Sequence, residues 1–477
     1  MVYTVGMKLS LFPQTYRNKR ICVALSGGGD SVALLYALKE RAGEWNISLS
    51  AVNVEHGIRG ESSRADTEFV KELCTKENIP LFCFSENVPR LAEEWGMGVE
   101  AAARAVRYRV FLDILRQDKA DYIATAHHAG DNAESVLFNL LRGSALTGAG
   151  GISEFVNAWE LAAAISPETR AEDMDILRGK GIIRPLLSVP KSEILAYLRE
   201  NKLEWREDES NADTGYTRNF LRQEVLAPAR ERFPSLDKAL YNFSRAARED
   251  DEFLYGLARQ YLYEEGEVRF VAATEVFKPL FVRACLLALR HFDVEKDYTL
   301  QNLLDICAVA EGENGKAVDL PRGIVARREY GKIAFYRRPS FAGAGRSPEY
   351  PFGEGEFAFG KLCVRVVRGE HPAESFALRR PLYIDGARLP GYCVLRTRKE
   401  GDVFQKFGSG TKKLKDFFID AKIPQRLRGG IPLVACGKEV FAVCGVEISE
   451  KVKIGGNADV YTLLLYEKGD CDKCIKT

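Results

Sequence analysis

The sequence predicts an α/β protein in which a doubly wound, mostly parallel sheet is followed by a helical middle domain and a small α+β carboxyl-terminal domain. Three observations predict this class. From about residue 20 to 200, short β-rich runs alternate with segments of helical period, which is the pattern of a parallel sheet with helices on both faces. Residues 219 to about 310 have a helical period. The last part of the chain mixes strand-like runs with a basic segment.

The elements of the first part are assigned in order from their hydrophobic periods. The predicted strands are 21–25, 48–54, 81–84 and 122–126, and the predicted helices are 31–41, 62–77, 99–117, 131–142 and 191–201. Ligands of such folds bind beyond the carboxyl ends of the strands. Between about 153 and 181 the chain is polar and poorly periodic, so we predict an insertion or loop there.

The domain organisation follows from length and pattern. A chain of 477 residues suggests about three domains. We place the first domain at 1–218, a helical middle domain at 219–315, a strand-rich linker at 316–384, a basic domain at 385–467 and a tail at 468–477.

Composition and charge narrow the class of function. The net charge of +1 argues against a surface that attracts nucleic acid everywhere, although it leaves room for a local basic face. No stretch approaches the ~18 apolar residues of a membrane span, and the amino terminus lacks the pattern of a secretory signal. We therefore expect a cytoplasmic protein with no membrane partner.

The cysteines do not predict a disulfide framework. There are eleven, an odd number at irregular spacing, and those within apolar runs are expected to be reduced and buried. Cys471 and Cys474 form a lone CxxC, which lacks the second pair that a structural zinc site needs.

One segment carries a clear chemical signal, because a glycine-rich loop stands between a buried strand and a helix. Its residues are Ser26, Gly27, Gly28, Gly29, Asp30 and Ser31. Glycines let a ligand approach the backbone, and N–H groups at a helix start form an anion nest. Asp30 beside a polyphosphate is interpreted as a carboxylate associated with Mg²⁺. The alternative is a glycine-rich turn with capping residues.

The loop differs from two better-known phosphate loops. It has no Walker A lysine, and the GxGxxG pattern fits poorly because an acidic residue occupies its final interval. Cradling a leaving pyrophosphate fits such a loop better than transfer of a γ-phosphoryl group. The sequence therefore predicts an enzyme that uses ATP to adenylate its substrate.

The loop resembles the SGGxDS pattern of the N-type ATP pyrophosphatases, the PP-loop superfamily, and the chain is similar to the tRNA(Ile)-lysidine synthetase family. The similarity rests on ordered segments that begin at Glu55, Glu100, Thr125, Leu141, Arg184, Glu207 and Arg218, and it returns in the basic domain. The resemblance implies a PP-loop ATPase fold. It also implies that ATP adenylates C2 of the wobble cytidine of a CAU-anticodon tRNA(Ile), after which free L-lysine displaces AMP to give lysidine.

The resemblance also implies roles for three residues around the loop. Asp131 would be a catalytic carboxylate that accepts hydrogen bonds from the cytosine amino group, whereas the alternative is a helix cap. Arg104 and Arg107 are three residues apart and so share a helix face. They would stabilise charge on the α-phosphate, with Arg107 as the stronger candidate, unless they are solvated surface charges.

Other candidates lie further along the chain. His56 follows a strand end and is predicted to lie near the nucleotide or the substrate. His127 and His128 are neighbours on a strand and would point to opposite faces, so a shared metal is not expected. At least one of them is interpreted as a pocket or packing residue. By resemblance, tRNA or phosphate contacts are assigned to three arginines that are otherwise ordinary surface charges: Arg142, Arg218 and Arg222.

The basic domain predicts how a large substrate is held. Residues 396–428 contain ten basic and four acidic residues. Lys412, Lys413 and Lys415 lie on one side of this segment, opposite the apolar Phe417 and Phe418. Phosphate contacts of this kind would position a tRNA without reading its bases.

A tRNA sulfurtransferase of the PP-loop type is the competing interpretation. Such an enzyme needs catalytic cysteines near the same pocket, but Cys22, Cys74 and Cys83 are predicted to be buried, and Cys471 and Cys474 stand at the far end of the chain. The sequence does not set the oligomeric state, and a homodimer stays open.

Overall fold

The computed structural model describes residues 7, 9–10, 13–58, 61–165, 175–206, 217–292, 298–338, 348–370, 378–456 and 458–467. The chain divides into two compact units, Met1–Leu254 and Tyr255–Thr477. Within the described residues, no helix combines the length and the apolar character that crossing a membrane requires.

The first unit is built on a six-stranded sheet of order β3-β2-β1-β4-β6-β5. Its strands are β1 Arg20–Ala24, β2 Ser48–Glu55, β3 Leu81–Ser85, β4 Tyr122–Ala124, β5 Phe155–Asn157 and β6 Gly181–Ile183. All pairs are parallel except β5 with β6. The chain runs outward from β1 to β3 and returns to β4 on the other side of β1, so a crevice opens at the carboxyl ends of β1 and β4.

Helices cover both faces of this sheet. They are α1 Pro13–Tyr16, α2 Gly29–Glu40, α3 Ala42–Trp45, α4 Glu61–Lys76, α5 Val88–Trp95, α6 Val99–Arg116, α7 Ala129–Leu141, α8 Leu146–Ala149, α9 Ala158–Ile165 and α10 Lys191–Glu200. Ile21 and Val23 of β1 belong to the core formed with α2 and α10, whereas Cys22 belongs to the core formed with α6 and α9. This alternation is the period of two of a strand buried on both sides, and the predicted fold class is confirmed.

An insertion or loop is predicted between about 153 and 181, and the loop alternative is wrong where the structure describes this stretch. Strand β5 and helix α9 lie in it, while residues 166–174 are outside the described part. A three-residue edge strand is too short to show an alternating pattern, and its assignment depends on pairing with β6. Tertiary pairing therefore decides this element.

A helical stretch follows in the same unit. It consists of α11 Thr217–Phe220, a π-helical turn Leu221–Leu226, α12 Ala227–Arg232 and the long α13 Leu236–Ala258, whose residues after Leu254 belong to the second unit. A buried node ties α13 to α7, because Asn132 donates to Ser244 Oγ at 2.9 Å and accepts from the Ile152 N–H at 2.9 Å. The amino-terminal turn of α7 is thereby held in place.

The second unit begins with a five-stranded antiparallel sheet of order β7-β8-β11-β10-β9. The strands are β7 Leu262–Glu265, β8 Val268–Ala272, β9 Ala317–Leu320, β10 Ile324–Glu329 and β11 Lys332–Arg337, with helices α14 Lys278–Arg290 and α15 Leu300–Glu311 packed against them. Strands from the predicted linker thus pair with strands from the predicted helical domain. The predicted domain boundary at 315/316 divides this sheet.

The carboxyl-terminal part contains two further sheets and one helix. The first sheet has β12 Tyr350–Pro351, β16 Val394–Arg396, β19 Leu433–Cys436, β20 Glu439–Val443, β17 Val403–Gln405 and β18 Thr411–Lys413, with β21 Glu447–Ile448 paired to β20. The second has β13 Gly355–Phe359, β14 Leu362–Arg368, β22 Val460–Glu467 and β15 Leu382–Asp385, and the helix is α16 Leu414–Asp420. The predicted α+β character of this part is confirmed.

Candidate active site

The glycine-rich loop turns sharply at the carboxyl end of β1. Gly27 has φ +87°, and a Cβ there would lie 3.3 Å from Phe69 Cδ1, so both backbone conformation and space favour glycine. Gly28 is the N-cap of α2 and supplies no side chain to cap the helix. The first N–H groups of an α-helix have no acceptor within the helix, so this end of α2 offers donors to an anion.

The two serines brace the loop from inside. Ser31 Oγ donates to the Gly28 carbonyl oxygen at 2.8 Å, and the Ser26 N–H donates to Ser31 Oγ at 3.3 Å. The Ser26 and Ser31 hydroxyl oxygens are 3.2 Å apart. The loop is thus held in shape by its own side chains, a form of preorganisation that an anion nest requires.

A cavity of about 610 Å³ opens at the carboxyl ends of β1, β2 and β4. Seven of the predicted site residues line it: Ser26, Gly28, Asp30, Ser31, His56, Arg107 and Asp131. The lining also includes residues to which sequence reasoning gave no role in the site, among them Asn53, Asp66, Thr67, Tyr108, Thr125 and Arg206. Four predicted arginines lie outside the lining: Arg104, Arg142, Arg218 and Arg222.

Two carboxylates of the site face a common histidine. His128 Nδ1 accepts a hydrogen bond from the Gly130 N–H at 3.0 Å, which leaves Nε2 as the protonated nitrogen of the neutral ring. This Nε2 lies 3.8 Å from Asp30 Oδ2 and 3.8 Å from Asp131 Oδ2. His128 therefore stands between the loop carboxylate and the carboxylate at the start of α7.

Asp131 has a structural part as well. Its Oδ2 accepts the His128 N–H at 2.9 Å and closes a capping box at the start of α7, and its Oδ1 lies 3.9 Å from Arg222 Nη2. The two interpretations from sequence are thus compatible, because the carboxylate that caps the helix also lines the cavity. The cap holds the side chain in one orientation.

Asp30 of the loop and the nearby Asp66 are each paired with a cation that the sequence did not reveal. Lys191 Nζ donates to Asp30 Oδ1 at 2.5 Å, and Arg206 Nε donates to Asp66 Oδ1 at 3.0 Å. The Arg206 N–H also donates to the Gly27 carbonyl oxygen at 2.9 Å, so this segment is attached directly to the loop. Two positive charges therefore stand at the edge of the anion nest.

On the β2 side, an imidazole meets a guanidinium. His56 Nε2 is 3.4 Å from Arg107 Nη2, and burial together with Arg107 lowers the pKa of His56 to about 4. Burial also lowers the pKa of Arg107. Arg104 lies elsewhere, with its guanidinium over the Tyr108 ring at 4.7 Å. A neutral His56 leaves the positive charge of Arg107 available to the cavity.

On the β4 side, His127 is also neutral at physiological pH. Burial and the charge of Arg184 lower its pKa to about 4, and its Nδ1 lies 3.0 Å from Thr125 Oγ1. In the described part of the chain, no group of three or more His, Cys, Asp or Glu side chains is arranged to hold a metal ion. A metal at this site would thus need ligand oxygens from a bound substrate.

The predicted arginines outside the cavity lie along α7. Arg222 makes a two-pronged ion pair with Glu134, with N···O distances of 2.6 and 2.9 Å. The Arg142 and Arg218 guanidinium groups both lie over the Phe138 ring, at 5.2 and 5.8 Å from its centroid. These contacts place the helical segment that begins at Thr217 beside α7.

The basic segment of the second unit has the predicted two-sided character. Phe417 and Phe418 are buried, whereas Lys413 and Lys415 are exposed. Lys412 donates to Asp420 and lies over the Phe417 ring at 5.8 Å. The segment thus presents two exposed cations around the start of α16. The predicted Cys471 and Cys474 lie outside the described residues, as do Glu207 and the four residues after it.

Comparison with known proteins gives a consistent result. A family model described as a PP-loop domain matches residues 3–229, and a model described as the TilS substrate C-terminal domain matches residues 393–463. The tRNA(Ile)-lysidine synthase of Caldanaerobacter subterraneus subsp. tengcongensis is 30% identical, over 98% of this chain and 98% of that protein.

Two further relatives carry the same name. The protein of Symbiobacterium thermophilum is 33% identical over 90% of this chain and 89% of its own length, and that of Bacillus subtilis is 30% identical over 91% of each. The resemblance stated from sequence is confirmed. The similarity runs through both units rather than the loop domain alone, and the chain belongs to the tRNA(Ile)-lysidine synthase family.

Proposed function

We propose that this protein is a ligase that forms a C–N bond between lysine and C2 of the wobble cytidine in CAU-anticodon tRNA(Ile). Membership of the PP-loop family implies the use of ATP. One observation carries the proposal: the anion nest of the glycine-rich loop, Arg107 and Asp131 face a single cavity at the carboxyl ends of β1, β2 and β4. That arrangement joins a phosphate site to a carboxylate able to bind a cytosine.

The reaction has two balanced substitutions. In the first, the cytidine oxygen on C2 attacks the α-phosphorus of ATP, the bond to the β-phosphate oxygen breaks, and pyrophosphate leaves. In the second, the amine of free L-lysine attacks C2, the C–O bond to the adenylate breaks, and AMP leaves as the amine loses a proton. The products are lysidine, AMP and pyrophosphate.

The loop is the proposed site for the pyrophosphate part of ATP. Backbone N–H groups at the start of α2 supply donors, and the serine hydroxyls hold the loop open. Lys191 and Arg206 lie close enough to exchange their carboxylate partners for phosphate oxygens. Arg107 then faces the α-phosphate, where charge develops during transfer.

Mg²⁺ fits this site as an ion held mainly by its substrate. Asp30 is a partly exposed carboxylate beside the nest, and Mg²⁺ is commonly bound by one or two carboxylates together with phosphate oxygens and waters. When bound, the ion would neutralise charge on the polyphosphate.

Asp131 is the proposed base-binding residue. Aspartate accepts hydrogen bonds from the N4 amino group of cytosine, and the capping box keeps its carboxylate in place. His128 lies between Asp131 and Asp30, with its Nε2 3.8 Å from an oxygen of each carboxylate. The tRNA is further held, in this proposal, by Arg218 and Arg222 in the first unit and by Lys413 and Lys415 in the second.

The sulfurtransferase alternative loses its support. The relatives carry the lysidine synthase name, and a match to the TilS substrate C-terminal domain accompanies it. Cys22 and Cys74 are buried, and burial raises the pKa of both thiols, which disfavours the thiolate that sulfur transfer needs. Cys83, predicted to be buried, is exposed instead, although burial of part of its side chain still raises its pKa.

The direct test is lysine incorporation. Labelled tRNA should form when the purified protein is incubated with ATP, Mg²⁺, labelled lysine and the CAU-anticodon tRNA. If no lysine is attached although protein and tRNA are correctly folded, the proposal is wrong. Asp30→Asn and Asp131→Asn should abolish incorporation while tRNA is still retained on a filter. Asp113→Asn is the matched control, because this carboxylate is exposed and pairs with Arg116 on the outside of α6.

A further inference from the structure

A stripe of side chains leads away from the reaction centre along one face of α7. Asp131, Glu134, Phe138 and Arg142 follow one another at helical spacing. Arg222 of the neighbouring segment contacts Asp131 and Glu134, and Arg218, one turn earlier, lies over Phe138. The two segments thus run antiparallel, and their shared edge extends from the cavity to Phe138.

Phe138 is unusual in this stripe because two cations share its ring. The ring is half-buried, whereas Arg142 and Arg218 are exposed, with their guanidinium carbons 5.2 and 5.8 Å from the ring centroid. Arg218 also lies 3.7 Å from the exposed carboxylate of Glu100. A guanidinium that lies over an aromatic ring keeps its edge donors for a phosphate and a flat face for stacking.

Aromatic rings and arginine planes beside each other are the chemistry that binds single-stranded RNA. Unpaired bases stack on such surfaces, and the adjacent cations contact the backbone. Neither ATP nor lysine accounts for Phe138, because the ring is outside the lining of the cavity and lysine has no flat apolar group. The target cytidine, in contrast, arrives with unpaired neighbours in the same anticodon loop.

The distance suits a nucleotide a few positions from the target cytidine. Phe138 follows Asp131 by seven positions of helix, which is about 10 Å along the axis. A stacked strand advances about 3.4 Å per nucleotide, so this distance corresponds to about three nucleotides. We propose that Phe138, with Arg142 and Arg218, forms a stacking platform for an anticodon-loop base about three positions from the target cytidine. This inference rests on the proposed function, since it assumes that a tRNA anticodon loop is the substrate.

The test combines protein and RNA changes. Phe138→Leu keeps apolar bulk and removes the ring, Phe138→Trp keeps a stacking surface, and Leu140→Ala is the control. Leu140 is 42% exposed and lies on the opposite side of α7 from the stripe. Kinetics of lysine incorporation are measured with full-length tRNA and with tRNAs in which each anticodon-loop base up to about three positions from the target cytidine is in turn made abasic. Thermal melting checks that every variant is folded.

Phe138→Leu should raise the KM for tRNA about fivefold to a hundredfold, which is the range of base–aromatic stacking, and leave the KM for ATP and for lysine unchanged. Phe138→Trp should resemble the parent protein. At one of the abasic positions the KM for tRNA of the parent protein should rise by the same factor, and with that tRNA Phe138→Leu should show no further rise.

Three results would overturn the platform. One is a tRNA KM for Phe138→Leu equal to that of Leu140→Ala. Another is that, at every abasic position, the rise in KM for tRNA caused by the abasic site and the rise caused by Phe138→Leu multiply. Effects that multiply are independent, and independence means that Phe138 does not contact that base. The third is a rise in the KM for lysine instead of tRNA. A failure of the proposed function is distinguishable, because the parent protein itself would then attach no lysine.

Discussion

Replacing Asp402 by Asn should destabilise the fold around the basic segment of the second unit. Arg396 and Asp402 form a bidentate pair with N···O distances of 2.8 and 2.7 Å, and their side chains are only 2% and 1% exposed. Removing the carboxylate charge leaves a buried guanidinium without its counter-charge. Breaking a buried pair in this way costs about 3–5 kcal/mol, so we expect a loss of that size in local stability.

The loss of local stability should also weaken tRNA binding, because Asp402 makes two hydrogen bonds to backbone N–H groups of this region. Its carboxylate accepts the Lys399 N–H at 2.7 Å, and its carbonyl oxygen accepts the Leu414 N–H at 2.8 Å. The second of these contacts joins the start of α16 to the loop before β17. Asp402→Asn should therefore weaken retention of tRNA on a filter together with the fold of this region.

Hydrogen exchange of the β16 to β20 amides is the suitable assay, since it reports opening of this region without requiring the two units to unfold together. Asp416→Asn is the control, because Asp416 is exposed on α16. The double variant Arg396→Met, Asp402→Leu should recover stability, since it leaves no unpaired charge. A loss for Asp402→Asn no larger than that of Asp416→Asn would refute the reasoning.

Three further predictions concern the loop, the pH dependence and the basic segment. Gly27→Ala should cost about 1–3 kcal/mol in the loop conformation, because φ is +87°; it should raise the KM for ATP in initial-rate assays and spare tRNA retention. The pKa of His127 is about 4 in the folded protein instead of 6.5. Between these pH values, His127 therefore binds a proton in the unfolded chain but not in the folded protein. The free energy of unfolding, measured with urea, should therefore decrease as the pH is lowered through that window, by at most about 3 kcal/mol. An equally steep pH dependence in His127→Gln would contradict this. Replacing Lys412, Lys413 and Lys415 by Gln should lower the salt slope of tRNA binding by about one unit for each lysine in contact with a phosphate; an unchanged slope would remove them from the interface.

Much of the first unit was predictable because its signals are local. The predicted strand 48–54 became Ser48–Glu55 and the predicted helix 191–201 became Lys191–Glu200, since a period of two or 3.6 is visible within one short segment. For the stretch between about 153 and 181, the loop alternative was wrong. There, β5 has three residues and gains its hydrogen bonds only from β6.

The residues of the site likewise divide into those that the sequence predicted and those that it did not. The predicted Arg107 and Asp131 line the cavity, as their motifs suggested, although their roles stay predictions. Sequence reasoning missed Lys191 and Arg206, because lysines and arginines at helix starts and loop ends are ordinary surface residues. It interpreted at least one of His127 and His128 as a pocket or packing residue without deciding which, whereas the structure places His128 Nε2 3.8 Å from two carboxylates.

By itself, the sequence determined the chemistry of the glycine-rich loop. Three glycines, two hydroxyls and an acid between a strand and a helix already define an anion nest, because all its parts are neighbours in the chain. Only the tertiary structure decided what surrounds that nest. Lys191 is 161 residues from Asp30 in sequence, and Arg206 is 140 from Asp66, so folding of the sheet had to bring each pair together before either contact existed.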